Sequence, residues 1–168
     1  MSKPRIAVVF GSDSDWPVMQ ECVQQLRQFG EEPVIEIMSA HRTPARVHEF
    51  ARSARDEGLE VIIAAAGLAA ALAGTVAANT CLPVIGVPLA SGTLQGIDSL
   101  LSTVQMPPGV PVASVGIGPA GARNAALLAI QIVALHDERL HTAYREFKAK
   151  QAKSVEEKNR ALAKQLTG

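Results

Sequence analysis

Net charge is missing from this chain: 16 Lys and Arg offset 16 Asp and Glu, and the pI is near 6.9. No overall field attracts a polyanion, so bulk nucleic-acid binding is excluded as a main role and any anion must be held by local groups. Cysteine is nearly absent, with Cys22 and Cys81 alone, which excludes a disulfide scaffold. No His, Cys, Asp or Glu group has zinc-ligand spacing, and Cys22 falls on a helical core stripe, so neither a metal nor a thiol nucleophile is expected. A long N-terminal hydrophobic run is also lacking, because Ile6-Ala7-Val8-Val9-Phe10 stops at Gly11, which points to a cytoplasmic protein. What the 168 residues do supply is a 48% apolar fraction. That excludes disorder and suffices for a compact globular chain burying ~70% of its unfolded surface.

The charges are unevenly placed. Of 32 charged side chains, 17 lie in residues 1–60 and 13 in 137–168, leaving only Asp98 and Arg123 between. Within that middle, 61–78 is 18 residues long without a charge, the length of a membrane span. Nine of these residues are Ala and two are Gly, so the better reading is a buried strand running into a small-residue helix. Segments 68–80 and 120–135 offer almost nothing polar for a solvated helix face. A helix apolar all round is buried all round, so cover from other copies is expected and the chain reads as a homo-oligomer.

Five β-branched apolar runs, at 5–10, 33–38, 60–65, 83–87 and 110–116, read as strands covered on both faces. Between them, 16–29, 44–57, 68–79, 92–103 and 120–135 read as helices. This alternation predicts an α/β, three-layer, doubly wound parallel sheet. Residues 1–136 form the expected catalytic domain. The charged segment 137–168 is expected as a C-terminal helical extension that docks through Leu140, Tyr144 and Phe147 and frays at its end.

Open parallel sheets bind ligands at the carboxyl ends of their strands. After the first run comes Gly11-Ser12-Asp13-Ser14-Asp15-Trp16-Pro17: a tight turn, a capping hydroxyl and a helix start whose free N–H groups suit a phosphate. It is neither a Walker loop nor a dinucleotide fingerprint. After the second comes Ser39-Ala40-His41-Arg42-Thr43-Pro44, which adds a proton carrier and a two-pronged phosphate grip. After the third, Ala66-Gly67-Leu68-Ala69-Ala70-Ala71 has no side-chain chemistry, though the backbone around Gly67 and Leu68 can face a ligand. After the fourth, Ser91 offers one hydroxyl in a stretch read mainly as packing. His48, His136 and His141 read as structural.

Gly-Ser-Asp-Ser-Asp-Trp at 11–16, Ser-Ala-His-Arg-Thr-Pro at 39–44, Leu-Pro-Val-Ile-Gly-Val-Pro at 82–88, Val-Gln-Met-Pro at 104–107 and Asn-Ala-Ala-Leu-Leu-Ala at 124–129 resemble the PurE family of purine biosynthesis. The resemblance implies a flavodoxin-like fold, a homo-octamer, and conversion of N5-carboxyaminoimidazole ribonucleotide to its 4-carboxy isomer without cofactor or metal. It implies Ser12 and Arg42 toward the phosphate, Asp15 toward the ribose, and His41 as the proton-transfer residue. Gly11, Ser39, Ala40, Gly67 and Leu68 complete the expected substrate-binding set.

The chain departs from the family where the pattern Ala-Gly-Gly-Ala-Ala-His-Leu-Pro-Gly is replaced by Ala66-Gly67-Leu68-Ala69-Ala70-Ala71-Leu72-Ala73-Gly74. The family's second histidine is Ala71, so His41 must move protons alone or with backbone and water. Arg42, where the carboxylase branch has Lys, favours the mutase. Direct carboxylation of the aminoimidazole ribonucleotide with CO2, and a non-catalytic nucleotide-binding module, are the competing readings.

Overall fold

The computed structural model describes residues 3–167. Continuous apolar runs form the three inner strands, β1 (Ile6–Phe10), β3 (Val61–Gly67) and β4 (Val84–Leu89), of which β1 and β4 are buried along their whole length. At the edges lie β2 (Val34–Ile37) and β5 (Ala113–Ser114). The order is β2-β1-β3-β4-β5, and every pairing is parallel. Val8 pairs with Ile35 on one side and Ile63 on the other. Strand order therefore reverses at β1, and the crevice beyond the carboxyl ends of β1 and β3 is where this fold binds ligands.

Because side chains alternate across a strand, β1 supplies two cores. Ile6, Val8 and Phe10 pack with Ile63 against Met19 and Leu26 of α1 (Trp16–Gln28) and Ile130 of α5 (Pro119–Val133). Ala7 and Val9 pack with Ile62 against Phe50 of α2 (Pro44–Ser53) and Val76 of α3 (Leu72–Ala77). Helix α4 (Ile97–Val104) lies on the second face, where it crosses β4 at Gly86. A Cβ on Gly86 would strike the Thr103 side chain and lie 2.9 Å from Val112 Cγ1, so only glycine permits this approach.

The layers and their order agree with the sequence expectation, but several elements differ. The second strand is an edge, with Ile35 and Ile37 exposed on one face, so it is not covered on both sides. The fifth run pairs over two residues only, since 110–112 run in as loop. The third helix begins at Leu72, not at 68, because Leu68 adopts φ 54, a left-handed value that no right-handed helix can contain. The charge-free stretch 61–78 thus divides between β3 and the six-residue α3, and no described helix is long and apolar enough to cross a membrane. Helix α5 buries Ala122, Ala125, Ala126, Ala129 and Val133 within its own chain and leaves Leu127, Leu128 and Ile132 partly exposed.

The last helix, α6 (Glu138–Thr167), is continuous where fraying was expected, although every side chain described beyond Phe147 is exposed. Its first turns are clasped. Phe29 lies 5.5 Å from Phe147 and 6.1 Å from Tyr144, centroid to centroid. Glu31 Oε1 receives both Arg5 Nη2 at 2.8 Å and Arg139 Nη2 at 2.6 Å, and Arg5 also reaches Asp137 Oδ2 at 2.9 Å.

Candidate active site

The β1 strand ends at Phe10, and the chain then turns through a short 3-10 segment (Asp13–Asp15) into α1. Ser12 caps this turn: its Oγ accepts from Ser14 N at 3.3 Å, while Asp15 Oδ2 accepts from Ser12 N at 3.0 Å. This reciprocal capping box fixes both side chains on a helix start, where partial positive charge collects. Asp15 is half-buried, and that burial raises its carboxyl above the ordinary value. Hydrogen bonds from the Ser12 and Gly11 backbone, together with nearby Arg42, offset part of the rise.

The loop after β2 is tied as tightly. Ser39 N donates to Thr43 Oγ1 at 2.9 Å, Thr43 N to Ser39 O at 2.8 Å, and Arg42 N to Ser39 Oγ at 3.2 Å, with Pro44 starting α2. This folding sends Arg42 back across the crevice, where its Nη2 donates to Gly11 O at 2.8 Å. The guanidinium is therefore positioned by neutral oxygens, and among the described residues no carboxylate forms an ion pair with it. Its charge lies near Asp15 at the end of β1 without a direct ion pair. His41, one residue earlier, is exposed to the same crevice.

The third loop faces these two. β3 extends to Gly67, and the loop passes close under the one after β4, since a Cβ on Gly67 would collide with the Ser91 side chain. A side chain at this position would force the Ser91 hydroxyl to rotate away.

The three loops enclose a cavity of about 520 Å³, within the ~300–1,000 Å³ typical of small-ligand sites. Gly11, Ser12, Asp15, Ser39, Ala40, His41, Arg42, Gly67 and Leu68, the whole set expected from the sequence, line it together. Sequence reasoning did not select Ser91, whose hydroxyl also reaches the cavity, or Ala71 and Leu72, which finish the apolar wall. The position of Ser91 after β4 was the available signal, because β4 neighbours β3 in the sheet. One side of the cavity thus carries hydroxyls, a carboxyl, a guanidinium and an imidazole, and the other carries the Ser91 hydroxyl and no ionisable group.

Other candidate chemistry lies elsewhere. His136 sits 2.8 Å from Glu60, at the amino end of β3 and so at the opposite end of the strands from the cavity. Burial pushes the Cys22 thiol up to about 12, which keeps it protonated. Among the described residues no three His, Cys, Asp or Glu side chains cluster where they could hold a metal ion.

Comparison with known proteins places this geometry in a family. The model of a family described as AIR carboxylase matches residues 5–154. A Pyrococcus abyssi protein named N5-carboxyaminoimidazole ribonucleotide mutase is 56% identical over 132 residues, covering 79% of this chain and 75% of that one. A Haemophilus influenzae protein of the same name is 52% identical over 156 residues, covering 92% and 95%. The crystal structure of Treponema denticola PurE superposes with a TM-score of 0.85 at 28% identity, covering 95% of this chain and 98% of that one. With a match that runs from β1 into α6 and relatives similar along most of their lengths, this chain belongs to the AIR carboxylase family.

Proposed function

We propose that the cavity binds N5-carboxyaminoimidazole ribonucleotide and isomerises it to 4-carboxy-5-aminoimidazole ribonucleotide, the activity named for the Pyrococcus and Haemophilus relatives. The observation that carries this reading is the meeting of three unlike loops at one cavity: a cationic and hydroxyl rim, one imidazole, and a wall without charge. On this reading Ser12 and Arg42 hold the phosphate and Asp15 accepts from the ribose hydroxyls. Arg42 suits an anion because a guanidinium offers parallel N–H donors matched to phosphate oxygens.

The reaction balances within the site. The carbamate N–C bond breaks, its electron pair returns to nitrogen, nitrogen takes a proton, and CO2 is released. Ring carbon C4 then forms a C–C bond to that CO2 and gives up its proton to restore aromaticity. One proton is consumed at nitrogen and one returned from carbon, so an imidazole that donates first and accepts second ends unchanged. His41 is the imidazole lining this cavity, and general acid–base help of this type contributes ~10²–10⁴-fold. No electron is gained or lost overall, so the balance calls for no redox partner. The remaining acceleration comes from confinement, since the cavity holds both fragments side by side.

The same reading gives the protein a cytoplasmic workplace and a homo-octameric assembly. A surface suited to self-association is present on α4, where Ile97, Leu101 and Val104, spaced along one helix face, are about half-exposed beside Leu94.

Two parallel assays of the purified protein decide the matter, one supplying the carbamate and the other the aminoimidazole ribonucleotide with bicarbonate. Isomer formed faster from the carbamate supports the proposal. Product formed only with bicarbonate identifies a direct carboxylase, and nucleotide binding without product in either assay identifies a binding module.

A further inference from the structure

We propose that Leu68 is a retention residue: its side chain stops the mouth of the cavity and keeps released CO2 inside until C4 captures it. The inference rests on the isomerase reading above and adds to it the group that prevents loss of the intermediate.

Leu68 holds a costly conformation. Its φ of 54 is left-handed, and Gln95 is the only other described non-glycine residue with positive φ. An L-residue there is strained, and unlike Asn or Asp a leucine has no side-chain hydrogen bond to offset it. Glycine would adopt the same backbone freely, so the side chain is what the strain retains.

That side chain lies where two loops close on each other. Leu68 lines the cavity yet is 55% exposed within its own chain, so it stands at the rim of the cavity. It spans to the loop after β4, since a Cβ built on Gly92 would lie 2.8 Å from Leu68 Cδ2. One residue earlier, Gly67 and Ser91 make the companion contact between the same loops. The other side chains of this wall, Ala66, Ala69 and Ala71, are single methyl groups, with Leu72 buried behind them. Leu68 is therefore the one large apolar group at the opening. CO2 is small and uncharged, so a charged clamp gains little on it, and a bulky apolar plug is the device suited to holding it.

The test follows the carboxyl carbon. Carbamate carrying ¹³C in its carboxylate is converted in buffer containing unlabelled bicarbonate, and the label in the product carboxylate is read by mass spectrometry, corrected for loss without enzyme. Gas that escapes mixes with the unlabelled pool, so the unlabelled fraction measures leakage independently of rate. Leu68→Gly and Leu68→Asn, both at ease with positive φ, should raise that fraction severalfold, whereas Leu68→Met, which restores apolar bulk, should hold it at the wild-type level. Label retention unchanged in the Gly and Asn variants overturns the proposal and leaves the isomerase reading standing. An equal loss in the Met variant also overturns it, because backbone and not side-chain bulk would then be responsible. Failure of the wild-type protein to make product from the carbamate removes both readings together.

Discussion

His41→Asn keeps a polar side chain of similar size at the crevice and removes the group able to carry a proton near neutral pH. We expect kcat to fall by ~10²–10⁴ while nucleotide binding survives, as checked by single-turnover kinetics beside a binding isotherm. Arg42→Ala separates the other half of the loop's work. It leaves the imidazole in place but takes away charge-assisted hydrogen bonds of ~1.5–3 kcal/mol, so Kd should rise roughly 10- to 100-fold with a smaller change in kcat. Asp15 has a pH signature. Burial lifts its carboxyl above the unfolded value, so its favourable share of stability is complete below the unfolded carboxylate range and is lost as pH rises through the folded value. Asp15→Asn keeps an oxygen for the Ser12 N–H. At neutral pH its Tm should therefore equal or exceed that of the wild type, and the Tm gap between acid and neutral conditions should narrow, while nucleotide affinity drops.

Among the elements, α6 depends on a polar clasp as much as on its aromatic stripe. Glu31, its side chain 10% exposed, is shared by Arg5 and Arg139. Glu31→Gln removes the anion the two guanidiniums share and leaves them Asp137 alone, which should cost about 1–3 kcal/mol in urea unfolding and quicken amide exchange in 138–147. Asp137, held below the ordinary carboxylate range chiefly by the Leu140 N–H and also by Arg5, contributes in the opposite sense to Asp15. Its stabilisation is present above the unfolded value and fades as pH falls through the folded one. The elements also show where the sequence was silent. Continuous apolar runs announced β1, β3 and β4, because burial on both faces leaves no alternation to confuse. Edge position is not written in composition, so β2 and β5 were over-read. The late start of α3 arises from one backbone angle at Leu68, which loop contacts impose and residue type alone would not suggest.

For the whole molecule, the charge-poor middle turns out to have two explanations. Much of it is internal: α5 buries its alanine-rich face within its own chain and α3 turns Leu72, Ala73 and Val76 inward. The α4 face is left uncovered, as are Leu68 and Leu135 singly, and α4 is a surface for the expected self-association that the sequence did not single out. Leu101→Glu places a charge in the middle of that face. Light scattering should show the wild type at a multiple of 17.7 kDa and the variant at a smaller multiple, with the fold retained by circular dichroism.

By itself the sequence determined the layers, the parallel sheet and the identity of the polar loops, because hydrophobic period and turn chemistry act over a few neighbouring residues. It placed Ser12, Asp15, His41 and Arg42 at strand ends for the same reason. Strand order alone decided that these loops share a cavity with Gly67, Leu68 and Ser91, since it sets β1 between β2 and β3 and β4 beyond. The packing of one loop against another then settled that Leu68 would stand at the opening in a strained conformation. Contacts between residues distant along the chain have no local signature, and so only the folded structure could reveal them.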